Sequence, residues 1–291
     1  MPITNLAEVG TSSADMVGIG AFTGDGPLDE WRRFWPLPFA AAGGLFTAVL
    51  YVYSAGLFIE PLNRAFGWSP ALATIGLMVV GLVAAIGNPF VGLLVDRVGP
   101  GLVAVTGVLA YSVALAALSF AGPGVGSWVL GWTLVAIASL AVSVPVWLAA
   151  IARAFNRSRG LALAVGYCGS SLAAIFVPLL TERAIETFGW QGGYRILGLL
   201  ALVVGGLSAL AVLRLAPTNR AMARTQGSGA GRVRLTPQAR TDLGSSRFWR
   251  IALMSLLATL GVIALTVHFV SIAVEDGQTR QAAARLAGLI G

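Results

Sequence analysis

The chain has 291 residues, of which 57% are hydrophobic and 11% charged, and its net charge is +7 at pH 7. Soluble domains contain about 25% charged residues, so this composition excludes an ordinary soluble protein and indicates a chain embedded in a bilayer. All 19 basic residues are arginines that gather in loops between apolar segments rather than on one aromatic-rich face. That pattern excludes a nucleic-acid-binding protein.

The first 34 residues are polar and largely acidic until Arg32 and Arg33. They lack the basic start and the apolar stretch of a secretory signal. This composition predicts that residues 1–34 form a disordered cytoplasmic tail.

Seven apolar segments follow, each close to the roughly 20 residues that a helix needs to cross the hydrocarbon core. They lie at about 36–59, 71–95, 101–121, 127–151, 160–181, 193–213 and 249–273. Continuous runs of this length do not fit the alternating strands of a membrane barrel, so we expect an all-α, polytopic membrane protein. An eighth segment begins near Gln281 and reaches Gly291, about half the length of a span, so we expect an incomplete chain that does not transport by itself.

A polar stretch rich in arginine, glycine and serine divides the chain. Residues 216–246 are predicted to form a flexible cytoplasmic linker, either a plain tether or a segment whose arginines bind anionic lipid. Residues 35–215 are then a six-helix N-terminal transmembrane bundle, and residues 247–291 hold the seventh helix and an incomplete eighth helix of a C-terminal bundle. The tripeptide Arg-Phe-Trp opens both the first helix at 33–35 and the seventh at 247–249, which supports this division.

The distribution of arginine predicts the orientation in the membrane. With the N-terminus inside, fourteen arginines fall in inner loops and five in outer loops. Because cytoplasmic loops carry the excess of basic residues, we expect a cytoplasmic N-terminus. Arginine without lysine is typical of a GC-rich bacterial genome, so the predicted location is a bacterial inner (plasma) membrane.

The loop between the second and third segments carries the octet Gly-Leu-Leu-Val-Asp-Arg-Val-Gly. It resembles the corresponding loop of the major facilitator superfamily, whose members are secondary transporters. The matching positions are Gly92, Leu94, Asp96, Arg97 and Gly99. A carboxylate here can accept hydrogen bonds from a helix N-terminus, and an arginine can pair with a neighbouring helix, so we predict a cytoplasmic gate. A loop that only marks topology is the alternative, and Pro100 and Gly101 replace the basic residues that follow in the family.

Further motifs resemble the monocarboxylate-porter-like branch of that superfamily. One runs from Ala154 through Gly160 to Ala164 and is followed by Gly-Ser-Ser-Leu at 169–172, and Phe-Gly-Trp occurs at 66–68 and at 188–190. The resemblance covers roughly residues 35–291. We add Arg157 and Arg159, at the inner end of the fifth helix, to the predicted gate. Trp68 and Trp190 are predicted to be interfacial anchors.

The apolar segments hold few groups that could bind a solute, and we expect no acidic or basic residue well inside a complete segment. The resemblance implies a cavity lined by the first, second, fourth, fifth, seventh and eighth helices. The polar residues on these helices are the substrate-binding candidates: Tyr51, Tyr53, Ser54, Asn88, Tyr167, Ser170, Ser171 and His268. An unperturbed histidine titrates near pH 6.5, which suits a proton-linked role, although a histidine hydrogen-bonded to a neighbouring helix is the alternative.

The resemblance implies a secondary active transporter that works by alternating access. Its implied cargo is a small organic anion such as a monocarboxylate, with or without a proton. The alternative is a non-transporting membrane receptor or assembly subunit on the same scaffold. We expect no enzyme, cofactor or metal, because one histidine among charge-free helices provides no catalytic cluster. The expected partners are the lipid bilayer, the solute and the missing C-terminal helices.

Overall fold

The computed structural model describes residues 27–216 and, beyond them, positions 245, 246, 249, 250, 253–255, 257–262, 264 and 272. Within residues 27–216 all regular structure is helical. The helices are α1 (Pro27–Phe34), α2 (Pro36–Ala48), α3 (Leu50–Ala55), α4 (Ile59–Phe66), α5 (Pro70–Ala73), α6 (Ile75–Val98), α7 (Pro100–Ala117), α8 (Val125–Leu140), α9 (Val144–Ala154), α10 (Arg159–Leu200) and α11 (Gly206–Leu215). Short 3-10 turns occur at Gly56–Phe58 and Leu118–Phe120, and a π-helical segment at Ala201–Gly205.

Five helical segments are long and apolar enough to cross a membrane, which confirms the predicted all-α, polytopic class. Span 1 joins α2 to α4, span 2 is α6, span 3 continues α7, and span 4 joins α8 and α9. Their bounds are Pro36–Phe66, Ile75–Val98, Pro100–Phe120 and Val125–Ala154, and the fifth segment is Arg159–Leu215.

The fifth segment contains two crossings of the membrane. As one helix its 57 residues would be about 85 Å long, far more than the roughly 30 Å of the hydrocarbon core. Gly189 interrupts it with φ 71° and ψ 178°, a conformation that is essentially restricted to glycine. We therefore call residues 159–188 span 5 and residues 190–215 span 6.

The turn between spans 2 and 3 is set by two residues. Gly99 ends span 2 with φ 97° and ψ 151°, and its N–H donates to the carbonyl oxygen of Val95 at 2.9 Å. Pro100 then opens span 3, where proline is favoured because the first turn of a helix leaves its N–H groups unpaired. The glycine at position 99 therefore allows the chain to reverse between the two spans.

Span 1 packs closely against spans 4 and 5. A Cβ atom on Gly44 would overlap the ring of Trp147 in span 4, and one on Gly169 of span 5 would overlap the carbonyl oxygen of Ala42. Small residues at such contacts let helix backbones approach each other within a membrane protein. The backbones of spans 1 and 5 therefore touch with no side chain between them.

Aromatic side chains join spans 1, 4 and 6 at the end of the bundle opposite α1. The ring centroids of Trp68 and Trp128 are 5.3 Å apart, and those of Phe66 and Trp190 are 5.6 Å apart. Trp68 is 5% exposed and Trp190 7% exposed. The prediction that these two tryptophans are interfacial anchors is therefore wrong, because their rings pack on other rings inside the bundle.

The predicted tail ends earlier than residue 34, because residues 27–34 form α1. Trp31 packs on Phe155 with the ring centroids 5.4 Å apart, and Phe34 packs on the same ring at 6.2 Å. Phe155 lies in the turn between spans 4 and 5 and is 2% exposed. The helix is thus docked on the bundle by a residue more than 100 positions away in sequence, a contact that local composition does not reveal.

Candidate functional site

The cytoplasmic gate predicted at Asp96 has a partner that the sequence did not single out. Arg153, in the last turn of span 4, donates from Nη2 to the carbonyl oxygen of Val95 at 3.0 Å and to Oδ1 of Asp96 at 3.5 Å. The Arg153 side chain is 10% exposed, whereas that of Asp96 is 76% exposed. The arginine is therefore enclosed between spans 2 and 4, while the carboxylate lies at the surface.

The other octet residues have separate surroundings. Arg97 is exposed, and Gly99 forms the turn already described. At Gly92, no atom of the described chain lies within 4 Å of an added Cβ. Gly92 makes no close approach to another helix within the described bundle. The side of span 2 that bears Gly92 is open.

A second carboxylate occupies the role of helix N-terminus acceptor that we predicted for Asp96. Glu30 of α1 accepts hydrogen bonds from the backbone N–H groups of Asn156, Arg157 and Ser158 at 3.2, 3.0 and 3.0 Å. The hydroxyl of Ser158 adds a fourth donor at 2.8 Å. These groups lie at the start of span 5, where unpaired N–H groups and the helix dipole favour an anion.

The hydrogen bonds to Glu30 change its titration. Burial raises the pKa of the Glu30 carboxyl, but the hydrogen bonds from Arg157, Ser158 and Asn156 outweigh it and lower the pKa from 4.5 to about 2. A carboxylate that accepts several backbone N–H bonds is stabilised in its charged form. Glu30 is therefore ionised at neutral pH, and α1 is held by a charge at that end.

The predicted gate residues Arg157 and Arg159 lie where Glu30 binds: Arg157 is in the turn, and Arg159 is the first residue of span 5. Both side chains are exposed, and the backbone of Arg157 is one of the groups that bind Glu30. The regions of the predicted gate therefore hold two separate contacts: one between Asp96 and Arg153, and one between Glu30 and residues 156–158.

The candidates on span 1 differ in how far they are exposed. Ser54 is 2% exposed, and its hydroxyl donates to the carbonyl oxygen of Leu50 in the same helix at 2.8 Å. Such a bond satisfies the hydroxyl internally, so the structure does not present Ser54 to a solute. Tyr51 and Tyr53 are half-buried.

Spans 2 and 5 expose the other candidates. Asn88 and Ser171 are exposed, and Tyr167 is 48% exposed. Ser170 is half-buried, and its hydroxyl donates to the carbonyl oxygen of Tyr167 at 2.8 Å. Tyr167 and Ser171 are four residues apart and so share one face of span 5. His268 lies outside the described residues.

One buried acidic residue was missed by sequence reasoning. Glu182 is 4% exposed and lies next to Thr181, which is 1% exposed. Glu182 lies one residue beyond the predicted segment, because the apolar run ends at residue 181 but the helix of span 5 continues to residue 188. The sequence does contain a sign that the helix extends past residue 181, because the next residue that favours a helix end is Gly189, in the Gly-Trp pair at 189–190.

Among the described residues no group of three His, Cys, Asp or Glu side chains could hold a metal ion.

Comparison with known proteins gives a family and several relatives. The sequence profile of the Major Facilitator Superfamily matches residues 39–291. The riboflavin transporter RibJ of Trypanosoma cruzi is 28% identical over 172 residues, which are 57% of this chain and 36% of that protein. The fujikurins efflux protein of Gibberella fujikuroi is 25% identical over 214 residues, 70% of this chain and 44% of that protein.

A third relative is the MFS transporter asaE of Aspergillus flavus, which is 24% identical over 193 residues. The match covers 65% of this chain and 42% of that transporter. The chain thus spans less than half the length of these three curated relatives.

Proposed function

The chain belongs to the Major Facilitator Superfamily, and from that membership we propose that it acts as a secondary active transporter of a small organic solute by alternating access. The observation that carries the proposal is a set of exposed polar side chains on otherwise apolar spans. Asn88 on span 2 and Ser171 on span 5 both lie near the middle of their helices. Transporters of this architecture bind substrate near the bilayer midplane.

The solute that we propose is an organic anion such as a monocarboxylate. The support is the likeness of the turn at residues 154–164 and of the Phe-Gly-Trp motifs to monocarboxylate porters. The amide of Asn88 and the hydroxyls of Tyr167 and Ser171 can donate hydrogen bonds to a carboxylate. Tyr51, Tyr53 and Ser170 complete the proposed lining, and His268 joins it from the seventh helix.

A larger aromatic solute is the second candidate. Two relatives are named for riboflavin and for fujikurins, and the exposed ring of Tyr167 offers a stacking surface. Flavins carry no carboxylate, so the two candidates are distinguished by a direct comparison of substrates.

We propose proton coupling through Glu182, with His268 as a second titratable group. Ionisable residues buried within membrane spans commonly mark ion or proton pathways, because charging them there is costly. The burial of Glu182 within span 5 supports this role.

For the gate, we propose that the contact of Arg153 with Val95 and Asp96 stabilises one state of the cytoplasmic side. Arg97 and Gly92 belong to the same proposed gate, and the turn at Gly99 positions them. A contact that forms in only one of two states biases the equilibrium between them by its own free energy.

We also propose that the N-terminus lies in the cytoplasm and that the membrane is a bacterial plasma membrane.

The test is uptake into proteoliposomes that carry the complete transporter, because the chain spans less than half the length of the relatives it matches. Radiolabelled lactate and riboflavin are offered in parallel, with and without an inward proton gradient. We expect saturable uptake of lactate that the gradient stimulates. Uptake of riboflavin alone would favour the second candidate, and no saturable uptake of either solute would favour a non-transporting receptor or assembly subunit.

Single substitutions then test whether the proposed residues take part in solute binding and in proton coupling. N88A and S171A should each raise the KM for the solute about tenfold, the typical effect of losing one hydrogen bond to a charged group. T106V is the matched control, because Thr106 is exposed on span 3 and its hydroxyl already bonds to the carbonyl oxygen of Leu102.

E182Q should abolish stimulation by the proton gradient while solute exchange at equal pH continues. An unchanged gradient response would remove Glu182 from the coupling step.

A further inference from the structure

Four exposed arginines are carried by two segments that Glu30 joins. Arg32 and Arg33 follow Glu30 on α1, Arg157 is in the turn whose N–H groups Glu30 binds, and Arg159 is the first residue of span 5. We call these four residues the interfacial arginine surface. The two pairs are about 125 residues apart in sequence, and the Glu30 carboxylate links their two segments at one end of the bundle.

The charges of this surface have no carboxylate partner among residues 27–216. Within residues 27–216, none of its four guanidinium groups forms a salt bridge with a carboxylate. The carboxylate of Glu30 is committed to backbone N–H groups, and Asp29 alone adds another acid on α1. At the opposite end of the bundle, by contrast, Arg64 and Arg183 pair with Glu60 and Glu186 of their own helices. Assembling like charges costs free energy unless an anion shares the site.

The apolar residues beside the surface place it at the edge of the hydrocarbon. Leu28 on α1 is 78% exposed, and Trp35 and Phe39, at the start of span 1, are each 58% exposed. Exposed tryptophan is typical of the headgroup level of a bilayer, where an apolar ring meets a polar boundary. The four arginines therefore lie next to residues that suit lipid contact.

We propose that Glu30 assembles a binding surface for the headgroups of anionic phospholipids. Arginine recognises phosphate through paired N–H donors, and each basic residue near an anionic membrane surface adds to the attraction. The exposed Leu28, Trp35 and Phe39 side chains contact the acyl region of the same lipids. This surface is distinct from the solute site, and its function does not depend on which solute is carried.

The experiment titrates the detergent-solubilised chain with phosphatidylglycerol and counts bound lipids by native mass spectrometry, with phosphatidylcholine as the neutral reference. R32Q/R33Q and R157Q/R159Q should each weaken phosphatidylglycerol binding by more than tenfold, since each lost charge costs about fivefold. R64Q/R183Q is the matched control, because it removes the same charge from the opposite end. It should leave binding unchanged.

Glu30 provides the sharper test. E30Q makes the chain more positive by one charge, so attraction by net charge alone would strengthen binding of phosphatidylglycerol. The assembled surface requires the opposite: binding falls toward that of R32Q/R33Q, because α1 is released from residues 156–158. E30D keeps the charge but shortens the reach by one methylene, and it should weaken binding in the same direction. Circular dichroism on each variant confirms that the helices of the bundle are intact.

Three outcomes would overturn the proposal. They are stronger binding in E30Q, an equal loss in R64Q/R183Q, and equal retention of phosphatidylcholine and phosphatidylglycerol. A further arm uses glycerol phosphate, which has the headgroup phosphate without acyl chains. Competition by glycerol phosphate at concentrations similar to those of the lipid would indicate a site for a soluble anion, and would also overturn the assignment to a membrane lipid.

Discussion

At the scale of single residues, the contribution of a charged side chain to stability depends on how far its surroundings bury it. Asp96 and Arg153 form one contact, yet the arginine side chain is 10% exposed and the carboxylate 76% exposed. Only the arginine also bonds to a backbone carbonyl, that of Val95 at 3.0 Å. The two partners should therefore respond very differently to substitution.

R153M keeps the aliphatic stem of the arginine and removes its hydrogen bonds. We expect it to lower the free energy of unfolding by about 1–2 kcal/mol, the range for hydrogen bonds to a charged group and within membrane bundles. D96N should cost about 0–1 kcal/mol, because an exposed ion pair contributes little. Thermal unfolding of both variants in one detergent measures the difference. A larger loss in D96N than in R153M would contradict this assignment.

The pKa of Glu30 predicts the pH range over which α1 stays docked. The pKa of Glu30 is about 2 when α1 is docked and takes its ordinary value of 4.5 when α1 is released, so the contribution of Glu30 to docking is complete above pH 4.5. It is lost as the pH falls from about 4.5 to about 2, because protonation removes the charge that the N–H groups bind.

The measurement is the mobility of a spin label on α1. Leu28 is 78% exposed, so L28C in a C168S background carries a label without disturbing the packing. Mobility should be low from pH 8 to pH 5, should rise below about pH 4, and should be high at every pH in E30Q. A rise between pH 7 and pH 5 would show that another group controls docking.

Some of these residues could be identified from the sequence and others could not. Asp96 and Arg97 stand out because a charged pair between apolar runs is costly and therefore conspicuous. Arg153 and Glu30 do not, since their roles depend on partners 57 and at least 126 residues away. Glu182 was missed because an apolar window reports where hydrophobicity ends, whereas the helix ends at Gly189.

At the scale of elements, the contact between spans 1 and 5 depends on the absence of one side chain. G169A places a methyl group against the carbonyl oxygen of Ala42. We expect a loss of about 1–3 kcal/mol, because overpacking a close contact forces the backbones apart. The midpoint of thermal or chemical unfolding in detergent measures this loss.

G92A is the matched control for G169A. It is the same substitution within a helix, but no atom of the described chain lies within 4 Å of the new methyl group. Alanine is the better helix former by about 1 kcal/mol, so G92A should be neutral or slightly stabilising. Equal destabilisation by the two variants would show that helix conformation, and not the contact between spans 1 and 5, sets the cost.

The elements themselves were largely predictable, because the hydrocarbon thickness imposes a minimum length on an apolar helix. The predicted segments at 71–95 and 101–121 differ from Ile75–Val98 and Pro100–Phe120 by a few residues. What periodicity could not supply is α1, whose Trp31 and Phe34 are buried only by docking on Phe155. Nor could it supply the partner rings that enclose Trp68 and Trp190.

At the scale of the whole molecule, the excess of arginine at one end predicts the orientation. A cysteine at Leu28 on α1 and one at Gly124, in the exposed turn between spans 3 and 4, lie at opposite ends of the bundle. In a C168S background, a membrane-impermeant maleimide added to intact cells should label G124C and not L28C, and L28C should react only after permeabilisation. The reverse pattern would place the N-terminus outside.

The class of fold follows from composition and segment length, but the solute does not. Binding specificity depends on a few polar groups whose positions are set by contacts between distant spans, as the burial of Ser54 and the exposure of Asn88 illustrate. Both are polar residues on apolar helices, and no local pattern distinguishes them. Only the packing of the helices exposes Asn88 and buries Ser54.

The bond between α1 and the start of span 5 has a consequence for how the nascent chain matures. Glu30 leaves the ribosome at least 126 residues before the backbone groups that bind it. At about 5–20 residues per second, α1 waits roughly 6–25 s for its partner. During that interval Trp31 and Phe34 have no Phe155 to cover them, so α1 is open to chaperones and proteases. Protection of α1 from proteases therefore begins only when the first four spans and the turn after them have been synthesised.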